Sequence, residues 1–181
     1  MSPSALTSCI LLCFLTFQAN AQVFLTKEEA LKQYFPDASP VERRVLFLTE
    51  PQLEAIQRKA KASLDSKIIT YYVAKRDTAV LGYAFLESRT VRTMPAVIMT
   101  VLHPDGTVRS VEILAFYEPE DYRPPERWLR HFAGRSGMDD LWLKRGIPAI
   151  AGATLSAQSA TETVRRTLAL FDIVVRGNEQ K

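Results

Sequence analysis

The sequence predicts an α+β domain, with a mostly antiparallel sheet of four to five strands, flanking helices and a long C-terminal helix. Four segments rich in β-branched and aromatic residues follow one another between residues 67 and 116. Two helix starts precede these segments, and a long amphipathic pattern follows them. No repeat or linker divides residues 22–181, so we expect one domain of ordinary size.

Two short helices are predicted before the sheet. A Thr followed three residues later by Glu or Gln, at 26–29 and again at 49–52, is a capping box that marks a helix start. The first helix should end near Phe35, because Pro36 follows it. The second helix should continue to about Ala62.

The four predicted strands come next. They are Lys67–Arg76, Val80–Glu87, Ala96–His103 and Thr107–Phe116. Pro104-Asp105-Gly106 separates the last two and is typical of a hairpin turn. Short connections of this kind favour antiparallel pairing between neighbouring strands.

The last part of the chain is helical and loop-rich. An acidic and Pro-rich loop spans 117–125, and a helix that carries Trp128 should begin at Pro125. The final helix is predicted over 154–175. Its apolar stripe at helical spacing consists of Val164, Leu168, Phe171 and Val175.

The N-terminus has the pattern of a cleavable signal peptide over residues 1–21. An apolar run over 9–17 is followed by Ala19-Asn20-Ala21, which offers small residues at the two positions that a signal peptidase reads. We therefore expect an exported protein, on the periplasmic or extracytoplasmic side of a membrane. The alternative is an uncleaved N-terminus that anchors the chain to the membrane.

Composition excludes several classes of function. The 23 basic and 20 acidic residues leave a net charge of +3, so we expect no nucleic-acid partner, which usually needs a concentrated basic patch. Both cysteines, Cys9 and Cys13, fall within the predicted signal peptide, which leaves the mature chain without a disulfide or a cysteine nucleophile. His103 and His131 have no partners at metal-ligand spacing, so we expect no metal site.

Two segments carry residues suited to a site. Glu118, Glu120 and Asp121 form an acidic cluster, for which a solvated loop is the simpler interpretation and a metal or proton-transfer site the other. The segment Gly152–Ser156 leads into the last helix and places two hydroxyls at its start. Such a helix end favours a phosphate. The same residues are also typical of an ordinary N-capped helix.

Gly152-Ala153-Thr154-Leu155-Ser156 resembles the Gly-Ala-Thr core of the FMN-binding domain family. This domain occurs in peripheral subunits of the sodium-translocating NADH:quinone oxidoreductase and the Rnf electron-transport complex, and in shorter exported flavoproteins. The resemblance extends to the strand pair Ala96–Phe116, the acidic loop after it and the terminal helix, which follow the family's order. In the family, a flavin transferase takes FMN from FAD and joins its phosphate to the Thr of this motif.

The resemblance implies an FMN site on specific residues of this chain. Thr154 would carry the phosphate. Two sets would surround the cofactor: Gly152, Ala153, Leu155 and Ser156 of the motif, and Glu118, Tyr122 and Trp128 from the loop and helix that precede it. The family's usual Asp, six residues before the Thr, is Pro148 here, and its usual Ser or Thr before the Gly is Ala151. A covalent phosphoester and a non-covalently held phosphate therefore both remain open.

The implied function is electron transfer. A flavin passes electrons one or two at a time, and the protein supplies orientation and electrostatics. The chain would be an electron carrier, rather than an enzyme with its own substrate. Its partners would be a redox protein or a membrane electron-transport complex, with a flavin transferase for maturation. The alternative is a non-redox module outside the cytoplasm that binds a ligand or a protein without a cofactor.

Overall fold

The computed structural model describes residues 22–179, so the predicted signal peptide over 1–21 lies outside the described part. The predicted α+β class is confirmed. Six strands form one sheet in the order β1-β6-β5-β4-β3-β2, and every neighbouring pair is antiparallel. The strands are β1 (Gln22–Val23), β2 (Val41–Phe47), β3 (Ile68–Arg76), β4 (Ala79–Thr90), β5 (Pro95–Leu102) and β6 (Val108–Phe116).

The four predicted strands form the centre of this sheet as β3 to β6. The two edge strands were not predicted. In β2, the middle residues Arg43, Arg44 and Val45 are exposed, so the strand lacks the alternation of apolar and polar residues that reveals a half-buried strand. Strand β1 has only two residues, too few for any pattern.

The helices pack on both faces of the sheet. They are α1 (Lys27–Tyr34), α2 (Glu50–Ala60), α3 (Glu126–Leu129), α4 (Thr154–Leu170) and α5 (Arg176–Glu179). Helix α1 covers one face, where Leu31 and Phe35 pack with Met99. Helices α2 and α4 cover the other face and pack against each other, with Ile56 and Val164 in the larger core.

The predicted terminal helix is present from Thr154 to Val175. Its α-helical part, α4, continues through a π-helical turn, Phe171–Val175, into α5. All four residues of the predicted apolar stripe are buried. Among residues 22–179, no helix is both long and apolar enough to span a membrane.

Helix α4 is also fixed to the sheet by charge. The Arg166 side chain is fully buried, and its Nη2 lies 2.6 Å from Oε1 of Glu87 on β4. The same nitrogen donates to the Thr163 hydroxyl at 3.1 Å. A buried guanidinium that keeps its partners holds its element in one register. The second half of α4 is thus fixed against β4.

Candidate functional site

The start of α4 differs from an ordinary capped helix. Ala153 occupies the cap position, and no side chain caps the helix there. Gly152 precedes it with φ +80°, in the left-handed region that favours glycine. Thr154 is the first helical residue and its side chain is exposed. The first-turn N–H groups of a helix have no intrahelical acceptors, so this end is available to an external acceptor.

The hydroxyls of this segment have different surroundings. Thr154 and Leu155 are exposed, and Leu155 retains 49% of its accessible surface. Ser156 and Ala153 are buried, each with 3% exposure. No other residue of 22–179 hydrogen-bonds the Thr154 hydroxyl. Thr154 is therefore the hydroxyl of this pair that a modifying enzyme can reach.

Two residues from elsewhere in the chain face this helix end. Arg92 lies in the loop between β4 and β5, and Tyr122 ends a 3₁₀ turn, Glu120–Tyr122. The Arg92 guanidinium stacks over the Tyr122 ring at 4.8 Å from its centroid. Both side chains line a cleft of about 280 Å³ with the residues of Gly152–Ser156. The cleft thus combines a helix N-terminus, a guanidinium and an aromatic ring.

A shallower depression continues from this cleft along α4. It measures about 130 Å³ and shares Leu155 with the cleft. Its other lining residues come from the end of β4, from the residue that follows this strand, and from α4: Arg89, Thr90, Val91, Gln158, Ser159 and Glu162. Together the two spaces reach the size range of small-molecule sites, about 300–1,000 Å³.

Glu118 does not line the cleft but holds the loop that carries Arg92. The expectation of a solvated acidic loop holds for Glu120 and Asp121, which are exposed, and is wrong for Glu118, which is 7% exposed. Its Oε1 accepts the backbone N–H groups of Arg92, Thr93 and Met94 at 3.1, 2.7 and 2.9 Å. Burial raises the pKa of this carboxyl, but the three N–H donors and the Thr93 hydroxyl outweigh burial and hold the pKa below its usual range. Glu118 therefore fixes the loop that presents Arg92.

Trp128 does not line the cleft either, but it holds the segment that leads into the cleft. It is 4% exposed, and its ring packs edge-on against Phe132 at 5.3 Å. Its Nε1 donates to the carbonyl oxygen of Pro148 at 2.7 Å. The indole thereby anchors the segment that leads into Gly152. Trp128 thus positions this segment through the Pro148 carbonyl, and Pro148 does not line the cleft.

Six of the eight residues singled out from the sequence are thus brought to one cleft. These are Gly152, Ala153, Thr154, Leu155, Ser156 and Tyr122, while Glu118 and Trp128 support it. Sequence reasoning missed Arg92, which reaches the cleft only because β4 and β5 pair and turn the loop toward α4. An Arg in a short loop carries no signal in the sequence that would reveal this.

The histidines take no part in this site. His103 is exposed in the β5–β6 turn, and Nδ1 of His131 lies 2.9 Å from the carbonyl oxygen of Trp128. Within residues 22–179, no group of three or more His, Cys, Asp or Glu side chains is placed to hold a metal ion. The chemistry that the cleft offers is recognition of an anion beside an aromatic ring.

No protein-family model and no curated protein matches this sequence.

Proposed function

We propose that this chain is an exported flavoprotein that holds FMN with its phosphate at Thr154 and carries electrons between redox partners. The observation that carries the proposal is the exposed, uncapped start of α4, which faces Arg92 across a cleft. Backbone N–H groups and the positive end of the helix dipole favour a phosphate there. A guanidinium opposite them adds a charge-assisted donor.

The remaining features of the cleft suit the rest of the cofactor. Tyr122 offers an aromatic face, and exposed Leu155 borders both the cleft and the depression along α4. A flat, largely apolar ring system would lie against these side chains. When bound, FMN supplies one- and two-electron chemistry. The protein residues would hold and orient it, and the open cleft would leave its edge accessible to a redox partner protein or a membrane electron-transport complex.

Covalent attachment is the form of the proposal that uses Thr154 most directly. A flavin transferase would use FAD as the donor. The Thr154 Oγ1 would bond to the phosphorus of the FMN half, and the bond from that phosphorus to the AMP half would break. AMP would leave, and the hydroxyl proton would pass to the transferase or to solvent. Thr154 is an exposed residue, and its Oγ1 has no hydrogen-bond partner among residues 22–179, so no internal bond must break first.

Export fits this arrangement. The predicted signal peptide over 1–21 would send the chain out of the cytoplasm, where free FMN should be scarce. A tethered cofactor would not be lost by dissociation. The mature chain has no cysteine to which a flavin could be attached, and a Thr ester needs none.

The test is an intact-mass measurement on protein exported from cells with and without a flavin transferase. We expect yellow protein with a mass gain of one FMN group, only in cells that contain the transferase. Thr154→Ala should abolish the gain, and Thr154→Ser, which keeps the hydroxyl, should retain part of it. For the non-covalent form, unmodified protein should turn yellow on dialysis with FMN. Colourless protein that stays unmodified and binds no added FMN would overturn the proposal and favour the non-redox binding module.

A further inference from the structure

A second cleft lies toward the far end of α4. It measures about 340 Å³, larger than the cleft at Thr154. Its walls come from the end of α2, from the loop over 137–145 and from the second half of α4. Four basic side chains line it, namely Lys59, Lys61, Arg145 and Arg165, together with one acidic residue, Asp139.

Two of these four cations are already neutralised by protein carboxylates. Lys59 Nζ lies 2.5 Å from Asp172 Oδ2, and Arg145 Nε lies 2.8 Å from Asp140 Oδ2. Lys61 and Arg165 have no carboxylate within 4.0 Å among residues 22–179. The cleft therefore contains two positive charges that no carboxylate of residues 22–179 contacts.

The acidic residue in the cleft is engaged elsewhere. Asp139 Oδ2 accepts from the backbone N–H of Ser136 at 2.7 Å and from its hydroxyl at 2.8 Å. These two hydrogen bonds hold the pKa of Asp139 below its usual range. Asp139 Oδ1 also lies 3.5 Å from Arg135 Nη1. Asp139 is thus engaged by residues of its own loop and forms no ion pair with Lys61 or Arg165.

Arg165 is held in a fixed position without a counter-ion. Its guanidinium lies 3.7 Å from the centroid of the Trp142 ring, and Nη1 donates to the Leu141 carbonyl at 3.4 Å. Its Nε is sealed from solvent and has no hydrogen-bond acceptor. Burial lowers the pKa of Arg165, Glu162 partly offsets this, and neighbouring Arg166 lowers the pKa further. A half-buried charge without a partner is unfavourable, and an anion in the cleft would offset that cost.

We infer that this cleft binds a small organic anion bearing phosphate or carboxylate groups, through Arg165 and Lys61 with Lys59 and Arg145 at its edge. A guanidinium pairs with either group in a two-bond geometry, and stacking on Trp142 fixes its plane in advance. The volume of about 340 Å³ suits a small metabolite. Arg165 lies eleven residues beyond Thr154 on α4, roughly 16 Å at the usual rise. The site is therefore separate from the proposed FMN phosphate and does not depend on it.

The inference is tested by calorimetry on the full exported protein, titrated with inorganic pyrophosphate and, separately, with citrate at constant ionic strength. We expect saturable binding at one site for at least one probe. Arg165→Met should weaken it by on the order of tenfold or more, because a charge-assisted pair is lost. Lys61→Asn should weaken it less, since Lys61 is exposed. Asn tolerates the left-handed conformation at this position, φ 50°. Arg58→Met, an exposed charge on α2 that does not line the cleft, is the matched control and should bind as the wild type does.

The two probes distinguish the sources of the oxyanion, because tighter pyrophosphate binding indicates a phosphate ligand and tighter citrate binding a polycarboxylate. If Arg165→Met lacks the near-ultraviolet circular dichroism of the folded protein, the double variant Lys61→Asn with Arg145→Met replaces it. These two residues are exposed, and loss of binding in that variant supports the site. Equal binding by the cleft variants and Arg58→Met, or binding that vanishes at physiological salt, would mean an adventitious ion only and would overturn the inference.

Discussion

The starts of α2 and α4 each carry a threonine, but the threonine of α4 lies one position further into its helix. The two hydroxyls therefore have different roles. In α2, Thr49 is the cap: its Oγ1 accepts the Gln52 N–H at 3.4 Å, and Gln52 Oε1 accepts the Thr49 N–H at 2.9 Å. Helix α1 begins in the same way with Thr26 and Glu29. In α4, the cap position is Ala153, and Thr154 follows it without a capping bond. The shift leaves both the hydroxyl and the helix end unused by the fold.

The β4–β5 loop, which lies opposite the start of α4, also has N–H groups that need an acceptor. Its N–H groups at 92–94 converge on one atom, the Oε1 of Glu118. At this loop and at the starts of α1 and α2, the chain supplies an internal acceptor for its unpaired N–H groups. The start of α4 has none among residues 22–179. Helices α1 and α2 are capped by side chains, whereas α4 and the four-residue helix α3 are not. The start of α4 is the longer helix end without a cap, and it is therefore a place to look for an external anion.

The largest effect is expected at Glu118. Glu118→Ala would remove a buried carboxylate that accepts from three N–H groups of the exposed loop residues 92–94. We expect the free energy of unfolding, measured in urea, to fall by about 2–3 kcal/mol. Glu118→Gln keeps an acceptor oxygen and is the matched control, with a smaller loss. Amide exchange at Thr93 and Met94 should accelerate in the Ala variant. An unchanged exchange rate there would show that the loop is held by something else.

The pH dependence of the same contact follows from its lowered pKa. The pKa of Glu118 in the folded protein lies below its ordinary value of 4.5. Its contribution to stability is therefore complete above about pH 4.5, and it is lost as the pH falls through the folded-state pKa. Wild type should lose stability more steeply than Glu118→Gln in this acidic window. Parallel curves for the two proteins would contradict the assignment.

A smaller effect distinguishes the two kinds of helix start. Thr49→Ala removes a cap and should lower the free energy of unfolding by about 1 kcal/mol. Thr154→Ala removes no capping bond, so the cofactor-free protein should change by less than about 0.5 kcal/mol. Urea unfolding of both variants side by side provides the measurement. Equal losses would mean that Thr154 caps α4 in solution, and that the starts of α2 and α4 do not differ.

Local patterns in the sequence were enough for much of the fold. The two capping boxes, the Pro104-Asp105-Gly106 turn and the stripe that includes Val164 and Leu168 each depend on residues within a few positions, and the structure has all of them. Strand β2 was missed because an edge strand with exposed middle residues does not alternate. Its place depends on pairing with β3, which no local pattern records.

The candidate site likewise has one part that a local pattern reveals and another part that depends on contacts distant in the sequence. The segment around Thr154 could be found from the sequence because its residues are contiguous. The burial of Glu118 and the position of Arg92 at the cleft could not be predicted from the sequence, because both depend on how the β4–β5 loop folds back toward 117–122. The sequence suggested that Glu118 and Trp128 line the site. In the structure neither residue lines the cleft: Glu118 holds the β4–β5 loop by hydrogen bonds, and Trp128 binds the Pro148 carbonyl.

A charge placed in the first turn of α4 is expected to have opposite effects on stability and on binding, which makes it a direct test of the uncapped end. Leu155 lies in the first turn of α4 and is 49% exposed. Leu155→Glu places a negative charge near the positive end of the helix dipole and should stabilise the cofactor-free protein by about 0.3–1 kcal/mol relative to Leu155→Gln. The Gln variant controls for the lost apolar contact.

The same charge would oppose a phosphate at the start of α4. We therefore expect Leu155→Glu to bind added FMN more weakly than Leu155→Gln in equilibrium titrations followed by flavin absorbance, and to accept less covalent FMN when exported from transferase-containing cells. High salt should narrow the difference, because it screens exposed charges. If the Glu variant is more stable and yet binds FMN as well as the Gln variant, the phosphate lies elsewhere, and the uncapped start of α4 would have no ligand to explain it.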